Sequence, residues 1–307
     1  MNYFMPAFFC LFFISSTFAQ QKDTTITIGT KAITLSEVVV NSNLNVASFI
    51  KKIKSDTSFY KAFKNLRVLN FSAINDIRMN NKKGEANASY FSKTNQTYKN
   101  TCRKMSTAEE AITGDFFDEN KNYNYYTAEL YASLFFTKDS SCGETNIIGT
   151  RAFTTHGLEG MEKHKQQLKM LFFNPGQKIN GLPFMSNKTA IYEDDMAEYY
   201  DMKIDIETYN NTSCFIFKQK VKEGNKSNVV IDEMTTWFDD QTFEIKGRNY
   251  SLSYDAGVYD FDVQMQVEIN KFGNYLVPTL IRYTGNWKAI FKKRERGIFT
   301  ATLYDFK

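Results

Sequence analysis

The sequence predicts an α+β fold: a curved antiparallel β meander, or incomplete barrel, with amphipathic helices packed on one face. Aromatic residues make up 16 % of the 307-residue chain, and because Tyr and Phe favour strands this composition indicates much β structure. Before residue 190 several segments repeat apolar residues at helical spacing, whereas from about Tyr199 strand-like runs alternate with turn residues. Such short turns join antiparallel strands, since parallel neighbours require long crossovers.

The N-terminal segment Met1–Ala19 has the features of a secretion signal. Residues 8–14 form an apolar run broken only by Cys10, and the small residues Thr17 and Ala19 occupy the positions that a signal peptidase inspects. We therefore expect cleavage after Ala19 and an exported chain with no transmembrane helix once the signal is removed.

Two alternatives to a cleaved signal fit this segment less well. A retained membrane anchor needs about 20 apolar residues, and this run is shorter and ends in polar residues. A lipoprotein signal would use Cys10 as the lipidated residue and would need small residues before it, where Phe8 and Phe9 stand. The segment is therefore predicted to be removed.

Residues 20–43 are predicted to form an extended N-terminal segment ahead of one α+β domain, 44–307. The segment is polar except for a short apolar stretch at residues 33–40. Within the domain we expect helices and a hairpin over 44–190 and the antiparallel meander over 191–307.

The domain opens with two predicted helices. Residues 46–53 place four apolar side chains at i, i+3, i+4 and i+7, and Asp56 can cap a second amphipathic helix that extends to Leu66. Both helices are expected to bury one apolar face against the sheet.

A long hairpin follows these helices. From Arg67 to Met79 apolar residues alternate with polar ones, and Asn75 is the exception on the apolar face. A turn at residues 80–84 leads into a partner strand that runs from Glu85 towards Thr101.

The middle of the chain is predicted to be mostly helical, and its last third to be a meander. Residues 125–136 and 156–173 carry apolar stripes, and Asn174-Pro175-Gly176 ends the second helix. Five turn signals after Tyr199 separate about six strands.

Three cysteines follow the predicted signal: Cys102, Cys142 and Cys214. In an oxidising compartment a Cys102–Cys142 bridge is the favoured pairing, and Cys214, inside an apolar run, is expected to be a buried thiol. The alternative is three unpaired cysteines, because a core of this size does not require a disulfide bond.

The charge pattern argues against nucleic-acid binding. The formal net charge is only +4, and basic residues cluster tightly only at Lys51-Lys52 and at residues 292–294. A nucleic-acid interface would concentrate positive charge and stacking aromatics on one face.

No catalytic, cofactor or metal site is predicted. The two histidines, His156 and His164, are eight residues apart, which on a helix is about 12 Å of rise and too far to share a metal ion. The carboxylate groups at 193–195, 232–233 and 239–240 lack the spacing of a calcium loop. A hydrolase using such carboxylates or the Cys142 thiol remains an alternative that the sequence does not support.

The apolar stretch at residues 33–40 resembles a Leu-x-Glu-Val-Val-Val segment of Gram-negative envelope proteins. In them it closes a carboxypeptidase-regulatory-like β-sandwich or forms a TonB-box-like stretch of outer-membrane receptors. The order of elements after it is similar to that of uncharacterised exported proteins that carry such segments. The resemblance implies an interaction segment made of Leu35, Glu37, Val38, Val39 and Val40.

The predicted architecture is similar to that of the outer-membrane lipoprotein-sorting carriers. In that family a curved antiparallel sheet and its helices enclose an apolar cavity for acyl chains. The likeness is at fold level and transfers no individual residue.

Three functions follow as hypotheses. The leading one is an exported, non-catalytic protein of the periplasm or outer membrane of a Gram-negative bacterium that binds an apolar ligand, a lipid or a lipoprotein acyl chain. The second is a structural or interaction module beside an outer-membrane receptor. The third is the carboxylate- or thiol-dependent hydrolase.

Overall fold

A computed structural model describes residues 23–28, 31–37, 46–148, 169–179, 185, 187–255, 259–289 and 293–307. Its helices are α1 (Val46–Ser55), α2 (Ser58–Asn65) and α3 (Tyr126–Phe135), with a further short helix at Asp194–Ala197 and helical residues at 169–173. The strands are β1 (Asp23–Ile28), β2 (Lys31–Glu37), β3 (Phe71–Asn80), β4 (Ala86–Lys99), β5 (Cys102–Thr113), β6 (Ser140–Cys142), β7 (Tyr200–Tyr209), β8 (Thr212–Val221), β9 (Ile231–Asp239), β10 (Ile245–Asp255), β11 (Tyr259–Phe272), β12 (Tyr275–Ala289) and β13 (Glu295–Tyr304).

These strands form one sheet in the order β1-β2-β7-β8-β9-β10-β11-β12-β13-β3-β4-β5-β6. Neighbouring strands pair antiparallel at every step except between β2 and β7, which are parallel. In the described part of the chain the two outermost strands do not pair with each other, so the sheet stays open. The predicted class, an α+β fold built on an antiparallel meander that does not close, is confirmed.

The meander contains seven strands, β7 to β13, and the expected number of about six was too low. The sequence between β12 and β13, residues 290–294, includes no Gly, Pro or Asn. A turn that lacks those residues gives no signal in the sequence.

The middle of the chain, predicted to be mostly helical, contains the strand β5. This strand pairs with β4 from Cys102 to Thr113, but none of its side chains is fully buried. A strand with no buried face lacks the alternation by which strands are recognised. Of the two helices predicted in the middle, α3 is present, whereas residues 149–168, which include His156 and His164, lie outside the described residues.

The first hairpin begins later than predicted. Leu66–Val68 forms a 3₁₀ turn after α2, so β3 starts at Phe71 rather than at Arg67. At the start of α2, Asp56 accepts hydrogen bonds from the backbone N–H and the hydroxyl of Ser58, at 3.0 and 2.9 Å. These bonds occupy donors that a helix leaves free at its first turn.

Helices cover one face of the meander. The Phe49 ring of α1 lies 5.7 to 6.0 Å from the rings of Phe215, Phe217 and Phe238 on β8 and β9. Helix α2 packs against β12, and α3 packs against β13. No helix in the described ranges is long and apolar enough to cross a membrane.

Candidate ligand cavity

Two small cavities lie between the helices and the sheet. The first, of about 50 Å³, is enclosed by α2, α3 and the inner face of β3, β4, β5 and β13. The second, of about 20 Å³, lies between α3 and strands β11 and β12. A cavity of this second size has room for about one water molecule, whereas ligand pockets usually measure roughly 300 Å³ or more.

One wall of the first cavity is apolar. The rings of Phe63 on α2 and Phe173 are 4.5 Å apart, and the ring of Phe135 on α3 is 5.7 Å from that of Phe173. Leu134 and Leu303 extend this wall. It offers the surface that an aliphatic chain would contact.

The opposite wall is polar although it is buried. Asn75, the exception to the alternation of β3, is 2 % exposed and donates to the Thr94 hydroxyl at 3.2 Å. Gln96 is 3 % exposed and donates to the carbonyl oxygen of Leu69 at 2.8 Å. Buried polar groups need such partners, and here cross-strand neighbours provide them.

The polar wall leads to a group of charged side chains. Glu144 accepts hydrogen bonds from Arg67 (3.0 Å) and from Arg103. Arg103 also donates to the Thr137 hydroxyl. Lys64, the next cation along the cavity, forms no ion pair with any described residue.

The charges around Glu144 set its protonation state. Burial alone would raise the pKa of this carboxyl, but hydrogen bonds from Arg103 and Ser141 and the positive charges of Arg67 and Arg103 outweigh burial and lower it. Glu144 therefore stays ionised and accepts a hydrogen bond from each of the two guanidinium groups, through the Nη1 atom of Arg67 and the Nε atom of Arg103.

The two cavities lie on either side of Leu134 and Phe135, which line both. In the second cavity the Tyr131 hydroxyl and the Thr127 hydroxyl are buried and have no hydrogen-bond partner among the described residues. Burial raises the pKa of Tyr131 well above its ordinary value, so the phenol remains neutral. A displacement of Phe135 would join the two spaces into one channel under α3.

A larger groove, of about 510 Å³, lies over strands β9 to β12. The side chains that border it are mostly hydroxyls and amides, among them Thr235, Asn249, Ser251 and Gln264. Such a lining is typical of the solvated face of an antiparallel sheet. It does not distinguish the groove as a binding site.

Cys102 and Cys142 are directly opposite each other in the β5–β6 ladder. Their sulfur atoms are 2.05 Å apart, which is the length of a disulfide bond. Cys214 is a buried thiol whose pKa is raised to about 11, mainly by burial and then by the nearby Asp239 carboxylate.

The predicted interaction segment is only partly described. Leu35 and Glu37 belong to β2, where Leu35 pairs with Thr24 of β1 and Glu37 pairs with Ile204 of β7. Residues Val38, Val39 and Val40 lie outside the described residues. The described part of the segment therefore lies in the strand beside β7, and neither Leu35 nor Glu37 lines either cavity.

The acidic groups do not converge. The Asp239 carboxylate accepts hydrogen bonds from the backbone N–H groups of Gln241 and Thr242 and so shapes the β9–β10 turn. Glu193 directly precedes the short helix at Asp194–Ala197. Within the described ranges, no three His, Cys, Asp or Glu side chains lie close enough to hold a metal ion.

Sequence reasoning missed the charged group around Glu144. Its members come from α2, the following 3₁₀ turn, β5 and the loop after β6, and no motif links them. The one available signal was Asn75, which breaks the alternation of β3 and marks the polar wall.

No protein-family model matches the chain, and no curated protein matches it. One similar crystal structure is a proposed outer membrane lipoprotein-sorting protein domain from Vibrio parahaemolyticus. The two share 9 % identity over 81 % of this chain and 91 % of that one, with a TM-score of 0.26. Another is a DUF1329 family protein from Desulfovibrio piger ATCC 29098, with 11 % identity over 82 % and 93 % of the chains and a TM-score of 0.25. These scores are too low to transfer a function, which must be argued from the residues of this chain.

Proposed function

We propose that this protein is an exported, non-catalytic protein of the Gram-negative envelope that binds the acyl chain of a lipid or lipoprotein under α3. The observation that carries the proposal is the pair of cavities flanking Leu134 and Phe135 between α3 and the sheet. The apolar side chains around them would contact the chain and keep it out of water. The predicted signal Met1–Ala19 supports the exported location.

Binding requires movement of α3 side chains. The cavities of about 50 and 20 Å³ are each too small for an acyl chain. Phe135 separates them and is only partly buried, so a change of its rotamer is the smallest displacement that joins them. Until Phe135 moves, the two spaces are separate and too small for an acyl chain.

The test compares binding of decan-1-ol, an uncharged single-chain probe, to three forms of the exported protein by calorimetry. The wild-type protein should bind it, and Phe135→Ala should bind it several-fold more tightly because the truncation joins the cavities in advance. Phe238→Ala is the matched control, since it removes a buried ring beside α1, away from both cavities. If neither the wild-type protein nor Phe135→Ala binds decan-1-ol, the proposal is wrong.

A second candidate function is an interaction module beside an outer-membrane receptor. Strand β2 favours it, because β2 joins the sheet through only two residue pairs, Ser36–Lys203 and Glu37–Ile204, and pairs in parallel. A strand held so lightly can exchange for a partner's strand at the same edge. Deleting residues 33–40 should release the protein from the membrane fraction, and unchanged fractionation would contradict this function.

The hydrolase alternative gains no support from the described residues. Cys142 lies at bonding distance from Cys102 and is not placed as a free nucleophile. Asp232, Asp239 and Asp240 each accept hydrogen bonds or form ion pairs at strand ends, as Asp232 does with Ser253 and Lys226.

A further inference from the structure

The mouth of the first cavity carries an excess of positive charge. Lys61, Lys64 and Arg67 follow one another at intervals of three residues along α2 and the turn after it, and Arg103 faces them from β5. Glu144 is the carboxylate that Arg67 and Arg103 share, and its negative charge also acts on Lys64. Among the described residues, these four cations and Glu144 leave a local surplus of about three positive charges, and charge in a half-buried place is costly unless it is paired.

Lys64 is the cation of this cluster that forms neither a hydrogen bond nor an ion pair with a described residue. The ammonium of Lys61 donates to the carbonyl oxygen of Asn146, and both arginines contact Glu144. Burial, followed by the positive charges of Arg67 and Lys61, lowers the pKa of Lys64, while Glu144 only partly offsets them. An added anion beside Lys64 would relieve this repulsion.

The charged mouth and the apolar wall belong to one space. Lys64, Arg67 and Arg103 line the same cavity as Phe63 and Phe135. Arg67 is about one-third exposed at its side chain, so a charged group can reach it from solvent. A ligand entering here would meet cations first and aromatic side chains next.

We infer that the ligand is a single-chain amphiphile with an anionic head, whose head binds Lys64 and Arg67 and whose chain points towards Phe135. The inference rests on the proposed acyl-chain function and adds the chemistry of the head. A carboxylate and a phosphate monoester share the required charge and acceptor oxygens, and each can accept from an ammonium and a guanidinium together. A cationic head would meet the same surplus charge without compensation.

The first experiment uses calorimetry to measure the affinity of the full exported chain for four probes that each carry a ten-carbon chain. Decanoate and decyl phosphate should bind at least ten-fold more tightly than decan-1-ol, and decyltrimethylammonium should bind more weakly than decan-1-ol. The ratio between the two anions shows whether a carboxylate or a phosphate monoester is preferred. Equal affinities for decanoate, decan-1-ol and decyltrimethylammonium would overturn the inference.

The second experiment changes the proposed head site. Lys64→Met should weaken decanoate binding about ten-fold and leave decan-1-ol binding unchanged, and Lys64→Glu should reverse the preference in favour of decyltrimethylammonium. Lys220→Met is the matched control, because Lys220 is an exposed lysine on β8, outside both cavities. Melting temperatures of all variants show that they fold.

The two proposals fail in different ways. If no probe binds, the acyl-chain function itself is wrong. If decan-1-ol binds as tightly as decanoate and both Lys64 variants behave as the wild-type protein does, the chain site stands and the anionic head site is wrong.

Discussion

At the scale of single residues, Glu144 decides the electrostatics of the cavity. Its carboxylate joins Arg67, from the turn after α2, to Arg103 on β5, and it is about one-fifth exposed. Without it two guanidinium groups would face each other beside Lys64. Glu144 therefore links Arg67 to Arg103 at the mouth of the cavity, and Lys64 beside them forms no ion pair with a described residue.

Replacing Glu144 by Gln should lower the free energy of unfolding by about 1–3 kcal/mol at pH 7, because two partly buried cations lose their counter-ion. The pKa of Glu144 is lowered by folding, so its stabilisation is complete above its unfolded value and is lost as the pH falls through the folded one. Urea unfolding of the wild-type protein and Glu144→Gln at pH 7 and below about pH 4 should show the difference shrink in acid. A difference that stays constant with pH would contradict this role.

Asn75 is a residue of the cavity wall that stands out in the sequence pattern alone. It is the polar exception on the apolar face of β3, and the structure buries it against Thr94 and Ser92 on β4. The sequence could reveal that the alternation breaks there. It could not reveal that Gln96 and Arg103 lie on the same wall, because those residues meet only when β3, β4 and β5 pair.

At the scale of elements, β5 and β6 hold the charged mouth in place. β6 is a three-residue strand whose ladder places Arg103 opposite Ser141, next to the Cys102–Cys142 pair. Glu144 follows β6 by two residues. A covalent link between these strands would fix the distance from Arg103 to Glu144.

We predict that Cys102 and Cys142 form a disulfide in protein produced in an oxidising compartment. Peptide mass mapping without reduction should find the linked pair, with Cys214 as the free thiol. Because the bridge closes a segment with a sequence separation of 40, replacing both cysteines by Ala should lower the free energy of unfolding by about 3–4 kcal/mol. Free Cys102 and Cys142 in protein from an oxidising compartment would refute the pairing.

The β1–β2 hairpin should contribute little to the stability of the sheet. It joins β7 through two residue pairs, so a chain that lacks residues 20–37 should lose no more than about 1–2 kcal/mol of unfolding free energy. The control is a change within a fully paired strand, such as Phe299→Ala on β13, which should cost about 3–5 kcal/mol. A loss from the deletion as large as that control would show that the hairpin belongs to the core.

At the scale of the whole molecule, the helix-covered face is almost completely filled by side chains. The ring of Phe172 packs edge-on against Tyr283 and Trp287, and the indole N–H of Trp287 donates to the Tyr283 hydroxyl at 2.5 Å. Space for a ligand must therefore come from rearrangement of α3 against the sheet. Bound and free forms should then differ in stability.

A bound anionic amphiphile should stabilise the entire fold. At a free decanoate concentration 100 times its Kd, the free energy of unfolding should rise by about 2.7 kcal/mol, because the ligand binds the folded chain alone. Thermal unfolding followed with increasing decanoate should show the melting temperature rise by a few degrees, and decyltrimethylammonium serves as the control. A melting temperature that decanoate leaves unchanged would contradict ligand binding by the folded protein.

The sequence by itself determined the class of the fold and most of its elements. Residue periodicity located α1, α2, α3, the β3–β4 hairpin and the meander, because in each of them one face is buried and the other is not. The strand β5, which has no buried side chain, and the division between β12 and β13, where residues 290–294 include no Gly, Pro or Asn, therefore escaped prediction. The spacing of apolar residues indicates which face of an element is buried. An element without a buried face has no such spacing and cannot be located from its sequence.

Only the tertiary structure decided the candidate site. Lys64, Arg67, Arg103 and Glu144 are spread over 80 residues of chain and become neighbours through the pairing of β13 with β3 and the packing of α2 on the sheet. A cavity is also a property of packing, since it depends on which rings fill the space beneath α3 and which do not. The sequence therefore indicated an exported, helix-covered meander, and the positions of its charged mouth and of Phe135 followed from the fold alone.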